Sequence, residues 1–255
     1  MNDLPARTGW EWLKQGVGLF RKQPAALMTL LFANILFSIG LSAVPFLGSV
    51  LAVVLIPSFS MAFMRACLMI ENGDRVTPAV LLTGFRRPVV AALCKLGLVY
   101  LGVSLLMMVV KRLAIPPELL VQMMPQPGAK TPPDIQASDM LAVFGVFVAY
   151  LTVLVTLCFA APLTYWKHMG PGKATFYSFF AVVRTARPFL VLLATWFGIF
   201  FGVCMVAALV FRDASVGQVV LMWLIFLFVL LLQCALYAGY RTIFGKPDDE
   251  APQPA

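Results

Sequence analysis

Residues 18–46 read GLFRKQPAALMTLLFANILFSIGLSAVPF, and the change of character inside this stretch decides the fold. Up to Lys22 it is basic; from Ala25 to Phe46 it carries no charged side chain. A helix rises 1.5 Å per residue and needs about 20 apolar residues to cross the hydrocarbon core of a bilayer. The run is long enough to span. It is too long for a signal-peptide core of about 7–15 residues, and it reads as a retained helix.

Working outward, apolar runs of this length recur at about 25–45, 48–70, 89–110, 140–166, 188–210 and 216–240. They predict an all-α membrane protein of six transmembrane helices, with residues 1–255 forming a single polytopic membrane domain. Composition agrees: 61% of residues are hydrophobic and 12% charged, about half the charged share of a soluble domain. The net charge of +8 does not point to nucleic acid, because the charges punctuate apolar runs instead of clustering on a polar, aromatic-bearing face. Cys67, Cys94, Cys158, Cys204 and Cys234 lie far apart within or at the edges of apolar runs. Their spacing implies no disulfide framework, zinc site or haem attachment.

Basic loops stay on the cytoplasmic side of a membrane. One side of this chain holds 14 Lys and Arg, in segments around Arg21 and Lys22, Arg86 and Arg87, Lys173 and Arg184, and Arg241. The other holds four, Lys111, Arg112, Lys130 and Arg212, balanced by Glu118, Asp134, Asp139 and Asp213. Both termini are therefore expected in the cytoplasm, with an external loop at 111–139 and a cytoplasmic tail at 241–255. The loop carries six prolines, at 116, 117, 125, 127, 132 and 133, which suit a linker or a docking site for an envelope partner.

Three similar segments precede the odd-numbered spans: GLFRKQP at 18–24, TGFRRP at 83–88 and AVVRTARP at 181–188. In each, a basic segment ends in a proline that opens the membrane helix, where the missing N–H costs nothing. Pro24, Pro88 and Pro188 lie 64 and 100 residues apart, the excess matching the external loop. This predicts three tandem units, at about 9–70, 76–166 and 173–240, each a cytoplasmic surface helix plus a helical hairpin. In the first surface helix, Trp12, Leu13, Val17 and Phe20 share one half of the circumference, opposite Glu11, Lys14, Arg21 and Lys22. Trp10, Trp12, Lys14, Phe20, Arg21 and Lys22 thus form a candidate lipid interface, an elbow for the first span or a sensor of anionic headgroups. The third surface segment, from Lys173 through Phe176, Tyr177, Phe179 and Phe180 to Arg184, is apolar nearly all round and is expected to pack beneath the bundle.

Few polar groups fall inside the spans. Lys95 is the intramembrane ionisable candidate, seven residues after Pro88, about 10 Å in by helical rise and close enough to snorkel. Pro57 and Pro162 should kink the second helix of their hairpins and free carbonyls there. With Ser58, Thr164, Gln233 and Lys95 they form a candidate polar vestibule. Asn34, Ser38 and Ser42 share a face of the first span, and Gly198 and Gly202 make a G-x-x-x-G in the fifth; both patterns suit helix packing, the second also a homodimer. His168 stands at the cytoplasmic end of the fourth span. A single histidine does not make a metal site, and no nucleophile, hydrolase or nucleotide fingerprint accompanies it. No catalytic group, cofactor or metal is expected.

The segments Ala6–Trp10 and Arg21–Ala25, Pro57–Ser60, Ala161–Leu163 and Lys173–Phe180 together resemble a family of uncharacterised polytopic inner-membrane proteins of beta-proteobacteria. The resemblance covers most of the chain and is weakest in the loop at 111–139 and in the tail. It implies an inner-membrane location and a multi-pass topology, and transfers no catalytic residue. The expected function is non-enzymatic, organising membrane lipids or partner proteins; the alternative is a transporter or channel for a neutral or apolar solute.

Overall fold

Every apolar run forms a helix, because a segment in hydrocarbon must satisfy its backbone polar groups internally. The structure, a computed structural model, describes residues 4–45, 47–85, 89–116, 119, 136–211 and 214–247. Pro88, most of the expected external loop and the tail beyond 247 lie outside these residues. The elements are α1 (Thr8–Lys22), α2 (Pro24–Ser42), α3 (Leu47–Asn72), a 3-10 segment (Pro78–Phe85), α4 (Val89–Ala114), α5 (Ala137–Leu157), α6 (Ala160–Trp166), α7 (Pro171–Arg184), α8 (Ala186–Val210) and α9 (Ala214–Phe244). No strand occurs among the described residues. Six segments are long and apolar enough to cross a membrane: α2, α3, α4, the interrupted pair α5 and α6, α8, and α9 from Val216.

The exterior is apolar, the reverse of a soluble protein: Leu36, Leu141 and Leu209 are each about 70% exposed. Inside, one core lies among α2, α3 and α4 and includes Leu27, Met61, Leu68 and Leu93. A second lies under α1, α6, α8 and α9 and includes Trp12, Phe159, Phe189 and Tyr240. The buried positions crowd into one half of the spans. In α2 they end at Leu31, in α4 at Gly97 and in α8 at Trp196, while in α3, apart from Gly48, they run from Pro57 to Ile70. An even number of crossings puts both chain ends on one side, and that side is the packed one.

The three basic segments take unlike forms, a 15-residue helix (α1), an eight-residue 3-10 segment and a 14-residue helix (α7). Pro24 opens α2 as expected, in its first turn. The glycines that carry packing are not those expected. A Cβ at Gly9 would stand 2.1 Å from the Pro188 carbonyl oxygen, and one at Gly16 would stand 2.6 Å from the Ala235 nitrogen, so α1 lies backbone to backbone on α8 and α9. Gly97 brings α4 equally close to the Val54 carbonyl of α3. Gly198 and Gly202 meet nothing within 4 Å and face outward. Their spacing makes a groove, but α8 has no buried residue beyond Trp196, so no helix among the described residues fills it. Asn34 reaches no partner through its Oδ1 among the described residues, and the Ser42 hydroxyl bonds the Ser38 carbonyl of its own helix at 2.8 Å.

The glycine contacts yield a direct test. Gly16→Leu should lower the melting temperature of the detergent-solubilised protein, consistent with about 1–3 kcal/mol of overpacking. Gly18→Leu, at a glycine with open space beside it, should leave the melting curve unchanged.

Candidate functional site

The terminal face is built where the first helix meets the last. Trp12 is buried against α9, its indole N–H donating to Thr242 Oγ1 at 3.1 Å and its ring meeting Phe189 edge-on at 5.4 Å. One turn further along α1, Gln15 Oε1 accepts from Arg241 at 2.9 Å. Arg241 also pairs with Glu71 at the end of α3, and Tyr237 donates its hydroxyl proton to the other Glu71 oxygen at 2.5 Å. Both carboxylate oxygens are occupied, and one acid ties α1, α3 and α9 together. Beside it lies a cavity of about 290 Å³, lined by Gln15, Lys22, Glu71, Tyr237 and Arg241 among others. The α1–α2 junction is held in the same way: Gln23 donates to the Asp74 carbonyl at 2.6 Å and accepts from the Val76 N–H at 3.1 Å.

Glu71, Tyr237 and Arg241 were not singled out from the sequence. A signal was present, since Glu71 follows one expected span and Arg241 follows another on the same side. Nothing in one dimension says that the two chain segments meet.

The residues of the expected vestibule differ in their surroundings. Pro57 and Ser58 are buried in an unbroken α3, and the Ser58 hydroxyl has no hydrogen-bond partner among the described residues. Lys95 is exposed on the outer surface of α4, which accords with a snorkelling lysine. Gln233 is half-buried in α9. The polar link from α3 to the fourth span is Arg65 instead, which donates to the Tyr165 hydroxyl at 3.2 Å.

Pro162 was expected to kink its span, and the span breaks. Without an N–H, Pro162 leaves the Cys158 carbonyl unmatched, and α5 ends at Leu157 while α6 restarts at Ala160 with the proline in its first turn. The gap is closed from α7. Ser178 Oγ accepts from the Phe159 N–H at 3.2 Å and donates to the Thr156 carbonyl at 2.6 Å. Thr164 bonds the Ala160 carbonyl of its own helix at 2.9 Å. His168 takes a left-handed φ of 49° in the turn leading to α7.

Each of the two surface helices buries one face against the protein and leaves the other uncovered. On α1, Trp12, Leu13 and Gly16 are buried by protein, Phe20 packs on the first core, and Trp10 remains exposed with the Lys14 ammonium 5.3 Å from its ring centre. Lys14, Arg21 and Lys22 are exposed. On α7, Ala174, Ser178, Ala181 and Val182 are buried, while Phe176, Tyr177, Phe179, Phe180 and Val183 are all between 44% and 60% exposed. The reason is side-chain size. Gly9 and Gly16 share the face of Trp12 and let α1 approach a neighbour closely; on α7 the small residues line the inner side and the rings are turned outward.

A probable inner membrane protein of Burkholderia thailandensis is 31% identical over 259 residues, an alignment covering 98% of this chain and 96% of the relative. No family model matches the sequence, and no solved structure does.

The Glu71 cluster is testable by a double-mutant cycle. Glu71→Gln and Arg241→Gln should each destabilise the protein by about 1–3 kcal/mol, as expected for hydrogen bonds to a charged group, and the double variant should lose less than the sum. Strict additivity in thermal melts would show that the two side chains are not coupled.

Proposed function

This chain belongs to the same family as that Burkholderia inner membrane protein, and from this premise we propose a non-enzymatic inner-membrane protein that organises lipids or partner proteins, with both termini in the cytoplasm. The observation that carries the reading is the exposed aromatic face of α7, held on the packed side of the bundle and flanked by Lys173 and Arg184. Aromatic side chains with a neighbouring basic rim suit the boundary between headgroups and hydrocarbon. The orientation is supported by the basic residues gathered on the side of the chain ends.

A second reading, transport of a neutral or apolar solute, is favoured by the interrupted fourth span, since transporters use broken helices to coordinate substrates and ions. Against it, Ser178 of α7 occupies the Phe159 N–H and the Thr156 carbonyl beside the break. The closure supports a structural use of the break.

Two measurements separate these ideas. Loss of the protein should change lipid composition, envelope integrity or the set of co-purifying proteins, and purified protein in liposomes should pass glycerol and ribitol no faster than protein-free vesicles. Solute flux above that background, with an unchanged envelope, would turn the assignment to transport. A reporter fused after Phe244 should fluoresce as green fluorescent protein and be inactive as alkaline phosphatase; active phosphatase would reverse the orientation.

A further inference from the structure

The exposed face of α7 has a definite chemistry. Around the helix, Phe179, Val183, Phe176 and Phe180 follow one another as an apolar strip, and Lys173, Arg184 and Tyr177 lie together along one edge of it. The Lys173 ammonium stands 5.8 Å from the centre of the Tyr177 ring, so the cation is held on that edge by the aromatic face. The opposite side of the helix is fastened down, with Ala174 and Ala181 buried and Ser178 hydrogen-bonded into the break of the fourth span. The apolar strip is therefore not available to turn inward.

The position of the helix restricts what can cover the strip. α7 ends at Arg184, and α8 enters the membrane from Ala186, while α6, closing the preceding span, ends only at Trp166. Both flanking spans thus hold the helix at the surface of the bilayer. Charge restricts it further. From residue 140 to residue 212 the sequence contains no Asp or Glu, while Lys167, Lys173, Arg184 and Arg187 fall within it and are exposed. An anionic surface suits such a rim, and an apolar layer directly beneath it suits the rings.

We infer that α7 lies in the membrane interface as a binding element for anionic phospholipid, its phenylalanines below the phosphates and Lys173, Tyr177 and Arg184 at them. This deepens the lipid-organising reading and rests on it. The lipid class follows from the basic edge, which carries no ion pair among the described residues, and the depth from the apolar strip. A basic side chain at an anionic surface favours binding by roughly fivefold, and two such residues on one edge reinforce each other.

The test uses the full chain with a benzophenone amino acid at position 180, reconstituted in nanodiscs of phosphatidylcholine with one-fifth phosphatidylglycerol and irradiated. Phospholipid adducts are expected, with phosphatidylglycerol enriched severalfold over its share. The Lys173→Gln/Arg184→Gln variant should keep the lipid adducts, lose the enrichment and retain its melting temperature. Cross-links to a second copy of the chain or to another protein, or no lipid adduct, would overturn the interfacial placement; adducts in bulk proportion would overturn the anionic preference. Failure of the organising role reads out separately, as an unchanged envelope in cells whose protein still gives the enriched adduct.

Discussion

The contact of α1 with α9, backbone to backbone at Gly16 and sealed by Trp12, is the constraint on which the rest of the packed face depends. Lipid chains are as apolar as leucine, so spans are not driven together by exclusion from water; they associate through close packing and hydrogen bonds. Interhelical hydrogen bonds in membranes average only about 0.6 kcal/mol, so no single one holds such a bundle. What α1 adds is a wedge across the ends of the chain, touching α8 through Gly9 and α9 through Gly16. The Glu71 cluster then fastens α3 to the same corner. First and last helices are locked to each other, and the spans between them are gathered at that end.

This explains why burial is one-sided. Arg65 with Tyr165 lies in the half of the spans nearest the chain ends, and Gly97 against Val54 and Trp196 donating to the Phe228 carbonyl at 3.0 Å lie nearer mid-span. Beyond Gly97, α4 has no buried residue, and Leu157 at its very end is the buried residue of α5. The opposite half of the bundle offers leucine, valine and methionine to lipid. A face that is tightly packed and basic, set against one that is apolar and loosely joined, gives the protein a mechanical polarity as well as an electrical one.

How much of this was legible depended on whether the signal was local. Span number needs only runs of apolar residues, and charge asymmetry needs only counting, so both could be read in one dimension. The break at Pro162 was half-read: the missing N–H was evident, but Ser178 lies sixteen residues downstream and gives no sign that its hydroxyl will fill the gap. Glu71 with Arg241 was missed because it joins residues 170 apart. Lys95 drew notice for its chemistry, yet nothing in its neighbours tells which side of α4 it occupies. The G-x-x-x-G at Gly198 gives a capacity for contact that no described helix of the chain takes up.

The buried faces of α1 and α7 carry the more general lesson. An amphipathic pattern shows that a helix has an apolar side, but protein and lipid are both apolar covers, so the pattern cannot distinguish them. Residue size can. Protein packing rewards faces with glycine, alanine and serine, where backbones approach and a few large side chains interlock, as Gly9, Gly16 and Trp12 do on α1. Lipid fills gaps by itself and sets no such demand; the face of α7 that the protein leaves uncovered is uniformly bulky, with Phe176, Phe179 and Phe180 exposed. Weighing the small residues along with the large ones would have shown which face of each helix the protein itself buries.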